Sequence, residues 1–358
     1  MDRAVTKKVN IGGVAVGGGA RVSVQSMLNT KTTDVSACLG QIRSLHDAGC
    51  DIVRVSVPDE ASASALREIV SNSPLPVVAD IHFDYKLAVL SAEAGAHKLR
   101  INPGNIGGEG RVKLVADAAR AAGIPIRVGV NSGSVESELL QKYGNTPRAL
   151  AESAGKGAAM LERAGFSDIV LSAKSSSVSS TVEAYRQLSK LSGYPLHLGV
   201  TEAGGGEFGI IKGAVGIGSL LLGGIGDTLR VSLTGDPVRE IAAAKGILRA
   251  CGLERGFAEV IACPTCARSE LDVDALRIEV EKLTAGVTRP LKIAVMGCVV
   301  NGIGEGKEAD IGVAGGRTRS VLFLRGKQLK TVDNASVIPE LKALIDGFLA
   351  QPDTSGES

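Results

Sequence analysis

Asp51-Ile52-Val53-Arg54-Val55-Ser56-Val57 decides the fold. Its β-branched residues read as a buried strand, and a helical stretch follows it. The same unit recurs. Eight such runs alternate with helical stretches through residue 250: Val22–Met27, Asp51–Val57, Pro76–His82, Lys98–Asn102, Pro125–Val130, Asp168–Ala173, Pro195–Thr201 and Asp227–Leu233. Helical segments such as Val112–Ala122 and Val182–Lys190 lie between them, usually closed by Gly or Pro. Eight βα units in about 230 residues suit a (β/α)8 TIM-type barrel, expected over residues 1–252. An open doubly wound sheet is the alternative, because a strand count does not show closure.

The βα rhythm stops after Gly252. A helix over Asp274–Thr284, a strand over Lys292–Val300, a strand over Val321–Arg325 and a helix near Ile338–Ala350 predict a small α+β domain over residues 258–350. The polar tail, 351–358, reads as disordered.

Four of the barrel runs carry an arginine among apolar neighbours: Arg54, Arg100, Arg127 and Arg230. A lone arginine in a buried strand reads first as half of an internal ion pair. Four on different strands suit a ring of bidentate donors at the barrel mouth, as a phosphate or diphosphate requires. Other polar residues fall at strand C-terminal ends, where barrel enzymes place their chemistry: Asp80, His82, Asn102, Asn105, Asn131, Lys174, Glu202 and Ser232. Asp80 and Glu202 either move protons or simply neutralise the arginines. His82 is equally a core histidine, and Asn105 equally a turn residue. Gly107-Gly108 and Gly204-Gly205-Gly206 permit close backbone approach to a ligand but match no nucleotide-binding pattern.

Cys263-Pro264-Thr265-Cys266 and Cys298 are followed by Glu305, a C-x2-C-x31-C-x6-E spacing. Three thiolates without a nearby histidine suit an iron–sulfur cluster or zinc, and unliganded thiols remain the bland alternative. A cubane takes four ligands, so three cysteines leave one iron for a weaker ligand or for substrate. Cys38, Cys50 and Cys251 read as core residues.

Of the 358 residues, 44% are hydrophobic, and the net charge is +2. No basic, aromatic-interleaved stretch points to nucleic acid, and no run approaches a membrane span. Met1–Lys8 lacks the apolar core of a signal peptide. The cytoplasm is therefore the expected compartment, where clustered cysteines bind metal more often than they form disulfides.

In order along nearly the whole chain, these stretches resemble the bacterial 4-hydroxy-3-methylbut-2-en-1-yl diphosphate synthase family of the non-mevalonate isoprenoid pathway. The resemblance rests on Thr32–Val35, Val53–Val57, Val78–Asp84, Leu99–Asn105, Gly129–Asn131, Thr201–Gly205, Gly226–Ser232 and Cys263–Cys266. It implies a barrel followed by an iron–sulfur domain, usually in a homodimer in which the barrel mouth of one subunit faces the cluster of the other. It implies reductive ring opening and dehydroxylation of 2-C-methyl-D-erythritol 2,4-cyclodiphosphate, with two electrons from reduced flavodoxin or ferredoxin. By position, Cys263, Cys266, Cys298 and Glu305 would hold a [4Fe–4S] cluster. Arg54, Arg100, Asn102, Arg127, Asn131, Lys174, Arg230 and Ser232 would hold the diphosphate. Asp80, His82, Glu202 and Glu305 would serve catalysis. The chain departs from the family pattern at Ile303, where the family has proline, at Ser177, where it has an acidic residue, and at Leu28, where it has threonine.

Overall fold

The computed structural model describes residues 3–254, 256–299 and 304–352, with the side chains of Glu305 and Lys307 outside the described set. The chain forms two compact units, Met1–Leu253 and Glu254–Ser358.

In the first unit the strands are β1 (Val9–Ile11), β2 (Val14–Val16), β3 (Ser23–Met27), β4 (Ile52–Ser56), β5 (Val77–Asp80), β6 (Lys98–Ile101), β7 (Ile126–Asn131), β8 (Ile169–Lys174), β9 (His197–Leu198) and β10 (Thr228–Leu229). β3 to β10 make one parallel sheet in the order β8-β7-β6-β5-β4-β3-β10-β9. A parallel bridge between Leu171 and Leu196 links its two ends, with the Leu171 N–H donating to Pro195 O at 2.9 Å. The sheet therefore closes as a barrel, and the open-sheet alternative falls.

Each of the eight runs overlaps a barrel strand, with β7 and β8 each extending one residue past the expected end, to Asn131 and Lys174. The last two are the shortest, because ladder pairing is confined to His197–Leu198 and Thr228–Leu229. At Gly199 the Lys174 ammonium and the Arg230 carbonyl crowd the chain: a Cβ there would lie 2.5 Å from Lys174 Nζ and 2.8 Å from Arg230 O.

Alternation along each strand sends one set of residues to the helices and the other to the interior. Val53, Val55, Leu99, Ile101, Val128 and Leu171 belong to the main apolar core. The interior is layered. Its floor is an apolar cluster of Ile52, Val78 and Val170 with Val9, Ile11 and Val16 of the antiparallel β1–β2 hairpin. The sequence reading had no counterpart for this hairpin. Gly12 and Gly13 turn it with φ of 54° and 94°, backbone that favours glycine. Above the floor Gln25, Lys98 and His197 are buried, and Lys98 Nζ donates to Gln25 Oε1 at 3.2 Å. Higher still come the side chains of the candidate site.

The second unit has a five-stranded sheet in the order β11 (Ala258–Ala262), β12 (Leu291–Met296), β13 (Ile311–Ala314), β14 (Arg319–Leu324) and β15 (Lys327–Asp333). β11, β12 and β13 run parallel, and β14 and β15 antiparallel. Helices Val273–Thr284 and Val337–Leu349 pack on it through Val280, Leu341 and Ile345. β11, β13 and β15 were not expected from the sequence. β12 ends at Met296, short of the expected Val300, which lies outside the described residues. From Asp353 onward, so does the expected disordered tail. No helix among the described residues is long and apolar enough to cross a membrane.

Ile11 is fully buried in the floor. Ile11→Ala should lower unfolding stability by about 2–5 kcal/mol, the range for truncating a large core side chain, measured by urea denaturation at unchanged slope. A loss below about 0.5 kcal/mol would mean that the hairpin does not seal the barrel.

Candidate active site

The C-terminal ends of the barrel strands surround a cavity of about 230 Å³, lined by Met27, Arg54, Asp80, His82, Arg100, Arg127, Asn131, Ser172, Lys174, Thr201, Arg230 and Ser232. Strand register explains the gathering. Asp80 pairs with Arg100, Arg100 with Arg127, and Asn131 with Lys174, so each inward position adds its side chain to one rim. Nine of the expected site residues converge here.

Asn102 and Glu202 are not among the lining residues. The Asn102 amide accepts from Gly104 N–H at 3.1 Å and donates to Ser134 O at 3.3 Å, which caps the short helix Pro103–Ile106. Asn105 lies in the same turn, its N–H bonded to Asn102 O. Glu202 follows the lining residue Thr201, is exposed, and has φ of 51°. That backbone conformation is costly for a residue with a Cβ and concentrates at functional positions. Met27, Ser172 and Thr201 are lining residues that the sequence reading missed. Their signal was an inward position two residues along from another inward residue.

Two buried carboxylates organise the cations. Asp80 Oδ1 lies 2.9 Å from Arg100 Nη1, and its Oδ2 lies 3.8 Å from Arg54 Nε and 3.4 Å from His82 Nε2. Glu240, from helix Val238–Ala250, takes Arg230 in a fork, with contacts of 3.0 Å to Nε and 2.9 Å to Nη2. Arg54 and Arg230 both also donate to the Met27 thioether, Arg54 at 2.9 and 3.2 Å and Arg230 at 3.4 Å. Sulfur is a weak acceptor, so these guanidinium edges remain ready for a stronger one. Arg127 donates to Ser172 Oγ at 3.4 Å. Among the described residues neither Arg127 nor Lys174 forms an ion pair with a carboxylate. A Cβ at Gly129 would stand 2.5 Å from Arg100 Nε, so glycine is what lets that guanidinium cross β7.

The electrostatics follow from this imbalance. Burial alone would push the Asp80 carboxyl up, but Arg54, the His82 hydrogen bond and Arg100 hold it well below the usual carboxylate range. Burial lowers Arg54 to about 10, against the pull of Asp80. Burial, then the neighbouring guanidiniums, also holds Lys174 and Arg127 well below their ordinary values. A polyanion in the cavity relieves this repulsion, and an uncharged ligand does not.

In the second unit, Cys263 and Cys298 lie just beyond the C-terminal ends of the paired strands β11 and β12, and Cys266 follows in the loop after β11. Cys263 Sγ accepts from Gly297 N–H at 3.1 Å. The Glu270 N–H donates to Gly297 O at 2.8 Å, tying the two loops together. Cys298 is buried and Cys266 exposed. The Cys266 thiol is lowered, first by the Arg268 backbone N–H and then by the Arg268 side chain, which favours the thiolate that binds metal. Among the described residues no three His, Cys, Asp or Glu side chains group closely enough to hold a metal ion. The Glu305 side chain lies outside those residues, as does all of Ile303. Cys38 and Cys50 are buried, as expected of core residues, and burial raises Cys50 to about 12. Cys251 is half-buried. At the two other departures, Ser177 caps helix Val178–Leu191 by accepting from Ser180 N–H, and Leu28 is buried.

Asp80→Asn leaves two buried guanidiniums without their anion and should cost about 3–5 kcal/mol of unfolding stability at pH 7. Because the folded carboxyl is depressed, its contribution is complete above the unfolded value near 4 and is lost as pH falls below it. The difference between wild type and Asp80→Asn should therefore shrink between about pH 4 and pH 2. A gap that stays constant over that window would show that Asp80 is not ionised against the arginines.

A family model for the GcpE TIM-barrel domain matches residues 6–245, and one for the GcpE protein C-terminal domain matches residues 259–347. The chain is 55% identical over 350 residues to 4-hydroxy-3-methylbut-2-en-1-yl diphosphate synthase (flavodoxin) of Caldanaerobacter subterraneus subsp. tengcongensis, covering 98% of this chain and 99% of the relative. It is 51% identical over 350 residues to the protein of the same name from Geobacter sulfurreducens, with 98% and 99% covered. Among solved structures, a type I 3-dehydroquinate dehydratase from Clostridium difficile aligns with a TM-score of 0.51 at 10% identity, over 69% of this chain and 98% of that one, a likeness of fold alone. With both of its parts matched and relatives aligned along nearly its full length, the chain belongs to the GcpE family.

Proposed function

We propose that this protein is a flavodoxin-dependent 4-hydroxy-3-methylbut-2-en-1-yl diphosphate synthase of non-mevalonate isoprenoid biosynthesis. It opens the ring of 2-C-methyl-D-erythritol 2,4-cyclodiphosphate and removes one hydroxyl as water, with two electrons supplied by the donor. The relatives' printed names support the reaction. The observation that carries it in this chain is the barrel-mouth cavity, with five cationic side chains, Arg54, Arg100, Arg127, Lys174 and Arg230, around it.

Those five hold the diphosphate, helped by Asn131 and Ser232. Asn102 supports the rim through the turn that it caps. Asp80, held ionised, orients Arg100 and Arg54 rather than donating a proton. His82, half exposed and bonded to Asp80, and Glu202, exposed beside Thr201, are the groups left to carry protons at the mouth.

The chemistry of the donors in the second unit suits a [4Fe–4S] cluster, although among the described residues they are not grouped closely enough to hold a metal ion. Cys263, Cys266 and Cys298 are free thiols on two loops that are bonded to each other, one thiol already lowered toward thiolate. Glu305 is the harder, displaceable fourth ligand. When bound, such a cluster passes electrons from the donor to the substrate. The chain works as a homodimer in the cytoplasm. The dimer is supported by the apolar stripe of Phe208, Ile211, Val215 and Leu222, all exposed, on helix Gly206–Leu222.

Anaerobically purified protein should contain about four irons and four sulfides per chain, as a cubane requires, and should consume the cyclodiphosphate only with reduced flavodoxin. Cys298→Ser should lose most of that iron. Cluster-loaded protein that leaves the cyclodiphosphate unconsumed with a reduced donor would refute the function. Arg100→Lys keeps charge but loses the fork, and should weaken cyclodiphosphate binding by about 1.5–3 kcal/mol in calorimetry. Equal affinity would place Arg100 outside the site.

A further inference from the structure

The cavity's diphosphate-binding side chains have a buried support outside the cavity itself. Glu240 stands in the first turn of helix Val238–Ala250, only 1% exposed. Its Oε2 accepts from Arg230 Nε at 3.0 Å and from Ser26 Oγ at 2.8 Å, and its Oε1 from Arg230 Nη2 at 2.9 Å and Leu233 N–H at 3.1 Å. Both oxygens are thus occupied, and the helix N-terminus favours their charge. The Glu240 side chain itself is almost wholly buried, so it has little water to turn to if one partner is lost.

The fork fixes Arg230 about two of its nitrogens and leaves Nη1, 3.4 Å from the Met27 sulfur, on the cavity side. The bond to Leu233 N–H also fixes the backbone immediately after Ser232, a second lining residue. An arginine on a flexible stem loses rotamer entropy each time it grips an anion, and a guanidinium held beforehand does not. We propose that Glu240 is a positioning residue for the diphosphate: it acts through Arg230, presetting that guanidinium so that its free edge meets the incoming anion. The inference rests on the function proposed above and extends it to a residue on a helix outside the strand ends. A barrel ion pair of purely structural purpose is the competing account, and the two differ in whether the loss of Glu240 is felt through Arg230.

The test is a double-mutant cycle on the full-length, cluster-loaded chain, with wild type, Glu240→Gln, Arg230→Gln and the double variant. Affinity for 2-C-methyl-D-erythritol 2,4-cyclodiphosphate is read by anaerobic calorimetry, and the melting midpoint alongside it. Glu240→Gln should weaken binding by roughly tenfold or more, and by less than about twofold once Arg230 is already glutamine. Binding unchanged in Glu240→Gln, or a loss of equal size in both backgrounds, would overturn the proposal. If Glu240→Gln does not fold, Glu240→Asp keeps the charge and shortens the reach, and the same two comparisons apply. Wild-type protein that binds no cyclodiphosphate would instead refute the proposed function, a result distinct from wild-type binding that Glu240→Gln matches.

Discussion

Asp80 and Glu240 are the buried carboxylates against which the barrel interior is arranged. Removing a guanidinium from water is costly unless an anion meets it, and four arginines with Lys174 share one closed ring of strands. Asp80 holds Arg100 and draws in Arg54 on one side, and Glu240 holds Arg230 on the other. Arg127 and Lys174 sit between these anchors with no ion-pair partner of their own among the described residues. The folded protein is thus under-neutralised at the mouth while rigid at its edges. That combination favours a compact polyanion over a neutral sugar or a large flexible ligand, because it supplies both charge and fixed direction.

The rest of the barrel makes this imbalance bearable. The β1–β2 hairpin closes the lower end with Val9, Ile11 and Val16 against Ile52, Val78 and Val170, keeping bulk water from that side. Between floor and mouth, Gln25 accepts from Lys98, whose ammonium is pushed well below its ordinary value by burial and then by Arg127 and Arg54. Charge density therefore rises from floor to mouth, and the mouth, where solvent and ligand enter, carries the cations that have partners to gain. Gly129 in β7 and Gly199 just past β9 are part of the same economy of space: each is a position against which a long cationic side chain lies.

Much of this was legible in the sequence. Eight β-branched runs, each followed by a helical stretch, mark the barrel, and a charged residue at an inward strand position must either find a buried partner, as Lys98 does, or reach the mouth. Arg54, Arg100, Arg127 and Arg230 could therefore be grouped before any geometry was available. Strand pairing partners could not, because a parallel ladder joins segments dozens of residues apart with no local signal. The Arg230–Glu240 fork escaped for the same kind of reason, since Glu240 lies on an amphipathic helix where a glutamate ordinarily faces solvent. The three-residue strands of the hairpin are too short to show alternation. Neutral Met27, Ser172 and Thr201 carry no chemical flag, although they occupy the inward register. Asn102 has an engagement that its position in the sequence did not show: its amide caps a turn. The cysteine spacing was plain from the start, whereas the structure adds which strand ends carry the thiols and places Arg268 where it lowers the Cys266 thiol.

The central claim is that the barrel mouth is built for the diphosphate of the substrate rather than for its carbon skeleton. The most direct measurement is calorimetric titration of the anaerobic protein, with its cluster oxidised and no electron donor present, with 2-C-methyl-D-erythritol 2,4-cyclodiphosphate and, separately, with 2-C-methyl-D-erythritol itself, at two salt concentrations. The account predicts one cyclodiphosphate per chain, weakened at higher salt as screening takes hold, and no binding of the free polyol. Comparable affinity for both compounds, or cyclodiphosphate binding indifferent to salt, would contradict it.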